Sequence, residues 1–421
     1  MTSFSTSPGT RDILSPDAAR WRAFQQVFAD VAAAHGYRYM IPPMFEDLGV
    51  FQRLGEATEV VTKEMYDFED KGGRHIALRP EQTASVCRAF VQHRPTTPWK
   101  VWYAGPNFRY EKPQQGRYRQ FDQVGIEALG VSDPIADAEV IAVAARFYER
   151  LGLRKVALAI NTLGSSTERQ AWTEALRQYF DLRRDKLSPD SQVTLQKNAL
   201  RVLDSKREQD EPVLAEAPRI ESFLGPESQH HFAMVRSALD RMSIAYTVEA
   251  RLVRGLDYYC HTTFEFVSTA LNAAHTAIGG GGRYDGLVEQ LGGPPTPGVG
   301  FALGLDRTLL ACDAEGCFSP PSESVSVFVV DTTGGLEALA LCDELRLASI
   351  AAEHAFEARS MKAQMKAADR SGAVLALIIG TNELESGTIL MRSMTSGEQS
   401  SVARANVVAS ILATLSQQGT A

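Results

Sequence analysis

At CDAEGCFSPPSES, residues 312–324, the spacing of apolar residues changes, and the change splits the chain into two folding problems. Before it, short alternating stretches dominate. RHIALRP, KVWYAG, NFRYE and RYRQFDQVGIEALG fill residues 74–130 between turns and predict antiparallel sheet. After it, SVSVFVV, ELRLASIAAEHA, RSMKAQMKAADRSG, AVLALIIG, GTILMRS and VARANVVASILATL predict strands alternating with helices, a small α/β domain over 325–421. A chain of 421 residues has room for two or three domains at roughly 100–200 residues each, so the first is assigned 1–320.

Inside that first unit, Ala18, Trp21, Phe24, Phe28 and Val31 recur at helical steps between Pro16 and about His35. They predict an amphipathic helix with Ser15 as its cap and Pro16 in its first turn. YRYMIPPMFED alternates until Pro42 and Pro43, which cannot donate to a ladder and belong at a sheet edge or an interface. A helix follows Asp137 and stops at Gly152. Residues 166–243 turn polar and helical, an insertion between two pieces of one sheet. Strands resume at AYTVEARLV and TTFEFV, GGGGRYDGL reads as a glycine-rich turn, and GVGFALGLDRTLLA runs from strand into helix.

The net charge of -8 rules out a chain coated in basic residues, so any contact with nucleic acid must rest on local patches. Five scattered cysteines without a CxxC pair read as structural thiols of a reducing compartment. Cys312 and Cys317 lack the partners that would complete a zinc site, so no protein-held metal is expected. MTSFSTSPGTRDIL has no apolar core of a signal peptide and no run approaches 18 apolar residues, which predicts a cytoplasmic protein without a membrane partner.

Against the acidic background, FRYEKPQQGRYRQFDQ at 108–123 is densely cationic. Alternate projection puts Arg117, Arg119, Phe121, Gln123, Gly125 and Glu127 on one strand face, and Arg109 and Glu111 together on the strand before. A ligand with a phosphate end, a flat base and a small polar group matches that order, since guanidinium forks fit phosphate and a phenyl ring stacks on a base. A solvated hairpin fits the loop equally well. In RLVRGLDYYCH, Arg254 must be paired or exposed, and an ion pair with Asp257 is the simplest account; alternation would send one of Tyr258 and Tyr259 outward and the other into a cavity. Gly279 to Gly282 match neither a phosphate loop nor GxGxxG, and permit close approach to a ligand or a strand bend. Gly298, Gly300 and Gly304 clear space before Arg307, which lies near a helix start that favours anions.

Taken together and in this order, the segments resemble class II aminoacyl-tRNA synthetases, and within them the histidyl-tRNA synthetase family, over essentially the whole chain. PGTRDILSP and the helix leading to YRYMIPPMFE resemble the N-terminal block and motif 1, the dimer element. FRYEKPQQGRYRQFDQ resembles motif 2 and GVGFALGLDRTLL motif 3, while RGLDYY and GGRYDGL resemble the two histidine-specific signatures. The resemblance implies an α+β fold: a catalytic domain on a mixed, mostly antiparallel sheet with flanking helices and a helical insertion, plus a C-terminal α/β anticodon-binding domain. It implies a ligase that activates histidine with ATP to histidyl-adenylate and transfers it to the 3' end of tRNA-His, as a homodimer, with Mg2+ on the phosphates.

Carried over, the resemblance implies that Arg109 holds the α-phosphate, Arg117 the terminal phosphate, and Phe121 and Arg307 the two faces of adenine, with Glu111 at the base edge. Glu81, Thr83 and Gln123 would hold the α-ammonium, Glu127 and Tyr259 the imidazole, and Tyr258, Tyr284 and Gly300 would line the same pocket. Arg254 would bridge substrate carboxylate and α-phosphate, making Arg109, Arg254 and Arg307 the catalytic cations. Lys112, where many bacterial members carry arginine, and Gln114 would meet the tRNA acceptor end. In the C-terminal domain Arg359, Lys362, Lys366 and Arg370 fall on one helical face, as a track for the tRNA backbone or as an ordinary solvated face. The rival reading is the histidine-sensing regulatory paralogue of ATP phosphoribosyltransferase, which usually lacks the anticodon domain and has degraded motifs.

Overall fold

Helix α1 (Asp17–Ala34) buries Phe24, Phe28, Val31 and Ala32 at the helical spacing of the sequence. Its N-cap is Pro16 and no side chain caps it, so Ser15 does not play the capping part expected of it; the chain is already helical in its angles at Pro16 and the hydroxyl falls one residue too early. The computed structural model describes residues 4–53, 63–271, 276–357 and 359–418. The chain separates into two units, Met1–Pro321 and Ser322–Ala421.

Past α1 come β1 (Arg38–Tyr39), β2 (Phe45–Asp47), α2 (Leu48–Gln52), β3 (Tyr66–Glu69), β4 (His75–Leu78) and α3 (Thr83–His93). Then follow β5 (Trp99–Phe108), β6 (Gln120–Leu129), α4 (Pro134–Arg150) and β7 (Val156–Thr162). Helix α3 interrupts a stretch expected to hold only strands. It is eleven residues long and buried over most of its length, from Thr83 through Val86 and Cys87 to Phe90, with Gln92 and His93 exposed at its end. KVWYAG and the first two residues of NFRYE are one ten-residue strand, β5, whose burial alternates along its length; Arg109 and Glu111, expected on it, lie just beyond its end. After β7 the insertion holds α5 (Ser166–Asp181), α6 (Pro189–Lys197), α7 (Glu211–Ala215) and α8 (Pro226–Arg241). The unit closes with β8 (Thr247–Val248), β9 (Cys260–Ser268), β10 (Ala277–Arg283), α9 (Leu287–Gln290), β11 (Gly298–Gly304) and α10 (Leu305–Glu315).

The main sheet runs β1-β5-β6-β11-β10-β9-β7-β8, antiparallel from β5 to β7 with a parallel strand at each edge. Pro42 and Pro43 follow its edge strand β1, and their carbonyls accept from the buried Arg79 at 2.7 and 3.3 Å. One face packs Val124, Ile126, Phe264, Phe301 and Leu303 against α1, α4, α8 and α10. The opposite face carries the polar side chains described below. GGGG is not a turn: it lies inside β10, paired on both sides. A Cβ at Gly280 would lie 2.7 Å from Arg254 Nη1, and one at Gly282 3.0 Å from Tyr259 Cδ1, so the strand is bare because other side chains lie across it.

The second unit contains β12 (Val327–Asp331), α11 (Leu336–Leu347), β13 (Ala352–His354), α12 (Met361–Ser371), β14 (Leu375–Ile379), α13 (Thr381–Ser386), β15 (Thr388–Ser393), β16 (Gln399–Ala403) and α14 (Val407–Gln418). Its sheet, ordered β13-β12-β14-β15-β16, is parallel over the first three strands and antiparallel over the rest. The fully buried β12 and β14 account for the continuous apolar runs. Polar, exposed β16 takes the residues with which the last helix was expected to begin.

Glu168 fastens the insertion at its mouth. Its carboxylate accepts from the Ser165 amide and the Ser228 hydroxyl, both at 2.6 Å, and from the Gly225 amide at 2.6 Å, so one anion serves the N-termini of α5 and α8 together. Those donors hold its carboxyl down at about 2, against 4.5 ordinarily, so the stabilisation is whole above 4.5 and fades as pH falls towards about 2. Glu168→Ala should cost ~1–2 kcal/mol in urea unfolding at neutral pH. The gap from wild type should narrow once pH drops below 4.5; a gap independent of pH would contradict this account.

Candidate active site

A cavity of about 300 Å³ opens on the polar face of the main sheet. Arg109, just past β5, and Phe121 and Gln123 on β6 line it together with Glu81, Thr83, Arg254, Tyr258, Tyr259 and Arg307. The three arginines singled out from three separate segments thus border one hollow. Glu111 and Arg117 also reach it, as an ion pair with each other. Arg119, expected on the same track, does not line it: its amide donates to the Gly9 carbonyl at 2.8 Å and its guanidinium covers Tyr110 at 3.9 Å. Strand β6 begins only at Gln120, so strict alternation does not extend back to Arg119.

Behind the wall at the inner end Glu127 is fully buried, and it does not itself line the cavity. It accepts from Thr83 Oγ1 at 2.7 Å, Tyr103 OH at 3.1 Å and the Tyr284 hydroxyl. Burial pushes its carboxyl up to about 8, although the hydroxyl donors pull the other way. Tyr284 and Gly300 act from behind the wall. Gly300 stands opposite Glu127 across the β6–β11 ladder, where any Cβ would overlap the carboxylate. The gap at Gly125 is occupied by the Tyr103 ring. Glu81, whose carboxyl burial also pushes up, accepts from the Thr83 and Ala84 amides at 2.7 and 2.8 Å at the start of α3. Gln123 accepts from Asn107 Nδ2 at 2.9 Å. Tyr103 and Asn107 were not among the expected site residues, yet both stand two-residue steps back from Arg109, so the alternation of β5 contains them.

Residues 250–259 form turns rather than the expected strand, which changes two expectations. Arg254 pairs with Glu265 on β9 at 2.8 Å rather than with Asp257, whose carboxylate accepts from Asn198 Nδ2 at 3.1 Å. Tyr258 and Tyr259 are both buried and both on the cavity wall, ring centroids 4.5 Å apart, because no strand separates them to opposite faces. Arg254 Nε is buried with no hydrogen-bond partner.

At the outer end Arg109 lies over Phe121 at 5.2 Å and donates to the Pro80 carbonyl at 2.9 Å. Arg307, in the first turn of α10, donates to the carbonyls of Gly116 and Ala277 at 3.2 and 3.1 Å. Burial lowers the pKa of Arg109 and Arg307, and for Arg307 the nearby Arg117 and Arg109 add to it. Asp122 and Asp306 border the same end, both pushed up by burial, Asp122 to about 6. Among the described residues no group of three His, Cys, Asp or Glu side chains is placed to hold a metal ion.

Lys112 and Gln114 lie on the exposed loop between β5 and β6, outside the cavity wall. In the second unit Lys362, Lys366 and Arg370 are exposed along α12, while Gln364 and Ala368 face inward; Arg359 precedes the helix and pairs with Glu357 at 3.4 Å.

A family profile described as histidyl-tRNA synthetase matches residues 9–308, and one described as anticodon binding domain matches 324–414. The chain is 46% identical over 407 residues to a histidine–tRNA ligase of Geobacillus thermodenitrificans, covering 95% of this chain and 96% of that one. The crystal structure of apo S. aureus histidyl-tRNA synthetase superposes with a TM-score of 0.83 at 36% identity, over 97% of this chain and all of that one. An ATP phosphoribosyltransferase regulatory subunit/histidyl-tRNA synthetase from Bacillus halodurans shares the fold at a TM-score of 0.65 and 19% identity, over 90% of this chain.

Because folding raises the Glu127 carboxyl from 4.5 to about 8, its contribution is least unfavourable below 4.5 and stability is lost as pH climbs through that window. Glu127→Gln, neutral at every pH, should therefore gain in melting temperature relative to wild type between about pH 4.5 and about pH 8. A constant offset across that range would show that burial does not hold the group neutral.

Proposed function

The chain belongs to the histidyl-tRNA synthetase family, so its reaction is the ATP-dependent ligation of histidine to tRNA, and we propose that the cavity above carries out both halves of it. The observation that carries this reading is the split of one cavity into an acidic, hydroxyl-lined end at Glu81, Thr83, Tyr258 and Tyr259, with Glu127 bonded to Thr83 behind it, and a cationic end around Arg109 and Arg307. Histidine fits the first and ATP the second.

At the inner end, Glu127 and Tyr259 would bond the two imidazole nitrogens, with Tyr258 and Tyr284 packed around the ring and Gly300 leaving room for the carboxyl. An amino acid without ring nitrogens would leave those buried groups unpaired, which is a strong basis for rejection. Glu81, Thr83 and Gln123 would take the α-ammonium. Arg254 would lie between the histidine carboxylate and the α-phosphate, its buried, unpartnered Nε free for that purpose. At the outer end Arg109 would hold the α-phosphate, Arg117 the terminal phosphate, Phe121 and Arg307 the faces of adenine, and Glu111 its edge.

In the first half the carboxylate oxygen attacks the α-phosphorus and pyrophosphate leaves; in the second a terminal tRNA hydroxyl attacks the carbonyl carbon, its proton passes to a phosphate oxygen, and AMP leaves. The first brings two anions together and the second releases one as AMP, so fixed cations and placement suffice without a nucleophilic side chain. Mg2+ would be held by phosphate oxygens and water, since Glu265 and Asp306 on the wall already pair with Arg254 and Arg11. It would supply charge neutralisation between the phosphates. Lys112 and Gln114, exposed on the loop beside the cavity, would meet the acceptor end.

The exposed Tyr39, Ile41, Met44 and Phe45 beside edge strand β1 support a homodimer formed through that region. No helix among the described residues is long and apolar enough to cross a membrane, and we assign the enzyme to the cytoplasm. The regulatory-paralogue reading is less supported, because the anticodon-binding match spans 324–414 and all three arginines border the cavity.

Pyrophosphate exchange run with each of the twenty amino acids should respond to histidine alone, and Arg254→Ala should reduce it by ~10²–10³-fold. Exchange with another amino acid, or an unimpaired variant, would overturn the site assignment. For the second unit, Lys362→Glu with Lys366→Glu should lower the salt slope of tRNA binding by roughly one for each phosphate no longer neutralised. An unchanged slope would remove α12 from the tRNA track.

A further inference from the structure

The segment before α1 lies against the loop between β5 and β6. A turn at Ser7–Thr10, closed by the Thr10 amide and hydroxyl on the Ser7 carbonyl at 3.0 and 2.7 Å, brings Gly9 to the base of that loop. The Gly9 carbonyl accepts from the amides of Arg119 and Gln120 at 2.8 and 3.3 Å. Gly9 has φ +80°, and a Cβ there would lie 2.6 Å from Arg119 Cγ, so only glycine allows so close an approach.

Two residues on, Arg11 reaches the cavity from outside. Its guanidinium lies 3.8 Å from the centroid of Tyr118 and 5.6 Å from that of Trp21, and it forms an ion pair with the buried Asp306. Tyr118 and Asp306 both line the cavity, and Asp306 directly precedes Arg307. The tip of the loop is therefore tied to the first turn of α10 twice, by Arg307 on the Gly116 carbonyl at 3.2 Å and by Arg11 across Tyr118 and Asp306. An exposed ion pair alone is worth little, but this one ends on a buried carboxylate and carries an aromatic face, which fixes its geometry.

We propose that Arg11 is a positioning residue for ATP: by joining Tyr118 to Asp306 it holds the loop against Arg307 and keeps the nucleotide end of the cavity assembled. The proposal rests on the assignment of that end to ATP. Arg11 touches no substrate. Its second effect is to compensate Asp306 where a triphosphate must approach; without it, polyanion and uncompensated buried carboxylate would face one another.

The test compares full-length wild type with Arg11→Gln, Arg11→Lys and Arg307→Ala by pyrophosphate exchange at varied ATP and varied histidine, and by calorimetric ATP binding without histidine. Arg11→Gln should raise both KM and Kd for ATP about tenfold, the loss of one charge-assisted contact, and leave the histidine KM within about twofold. Arg11→Lys should fall between, since lysine keeps the charge but cannot lie flat on Tyr118. Unchanged ATP affinity in Arg11→Gln, or equal rises for ATP and histidine, would overturn the proposal. Arg307→Ala separates the two levels: if it too leaves ATP affinity intact, the ATP assignment falls and the role of Arg11 with it, whereas if it weakens ATP while Arg11→Gln does not, only the role of Arg11 falls.

Discussion

A carboxyl group stands buried on a central strand of the main sheet, and much of the catalytic unit is arranged around it. Glu127 is cut off from water, so its oxygens require partners, and Thr83, Tyr103 and Tyr284 supply three hydroxyls from α3, β5 and the turn after β10. Gly300 is glycine because Glu127 faces it, and Gly125 is glycine because Tyr103 passes over it. Burial holds the Glu127 carboxyl neutral up to about 8, against 4.5 ordinarily.

The far end of the cavity obeys the opposite logic. Arg109, Arg117 and Arg307 border the same end, and each has a carbonyl or carboxylate to rest on: Pro80, Glu111, and Gly116 with Ala277. Holding such a set at fixed spacing costs folding free energy and is returned as preorganisation when a polyanion binds. Arg254 lies along the floor over bare β10, paired with Glu265, and its position midway follows from the absence of side chains at Gly280 and Gly282.

The sequence made the strand face of β6 legible, because period-two projection holds from Phe121 to Glu127, and it made the segregation of cations from acids visible. It hid whatever depends on contacts between distant segments. Helix α3 is only eleven residues long and stands between strands, so the alternation on either side concealed it. The glycine run imitates a turn, since the reason for its bareness lies in Arg254 and Tyr259 rather than in its own neighbours. The ion pair of Arg254 skipped the nearby Asp257 for Glu265 because the segment between them turns rather than extends. Asn107 reaches the cavity through Gln123, and Arg11 through Tyr118 and Asp306, and an intermediary leaves no local pattern of its own.

The helical insertion shapes the site as well, although it contributes no expected site residue. Residues 254–259 have no ladder to satisfy their backbone, and a loop at the edge of a cavity with orphan carbonyls would not hold two tyrosines and an arginine in fixed positions. The insertion provides what the sheet does not. Arg169 on α5 donates to the carbonyls of Asp257, at 2.7 Å, and of Tyr259; Arg201 donates to Gly255 at 3.0 Å, and Asn198 to the Asp257 carboxylate at 3.1 Å. Its core of Trp172, Leu176, Phe180 and Val213 is continuous with Tyr258, Tyr259 and Tyr284. Since Glu168, the residue before Arg169, clamps the start of α5 to the start of α8, the order of the 254–259 loop is inherited from the order of those helices. The geometry of the inner pocket is therefore set from outside the sheet on which it lies.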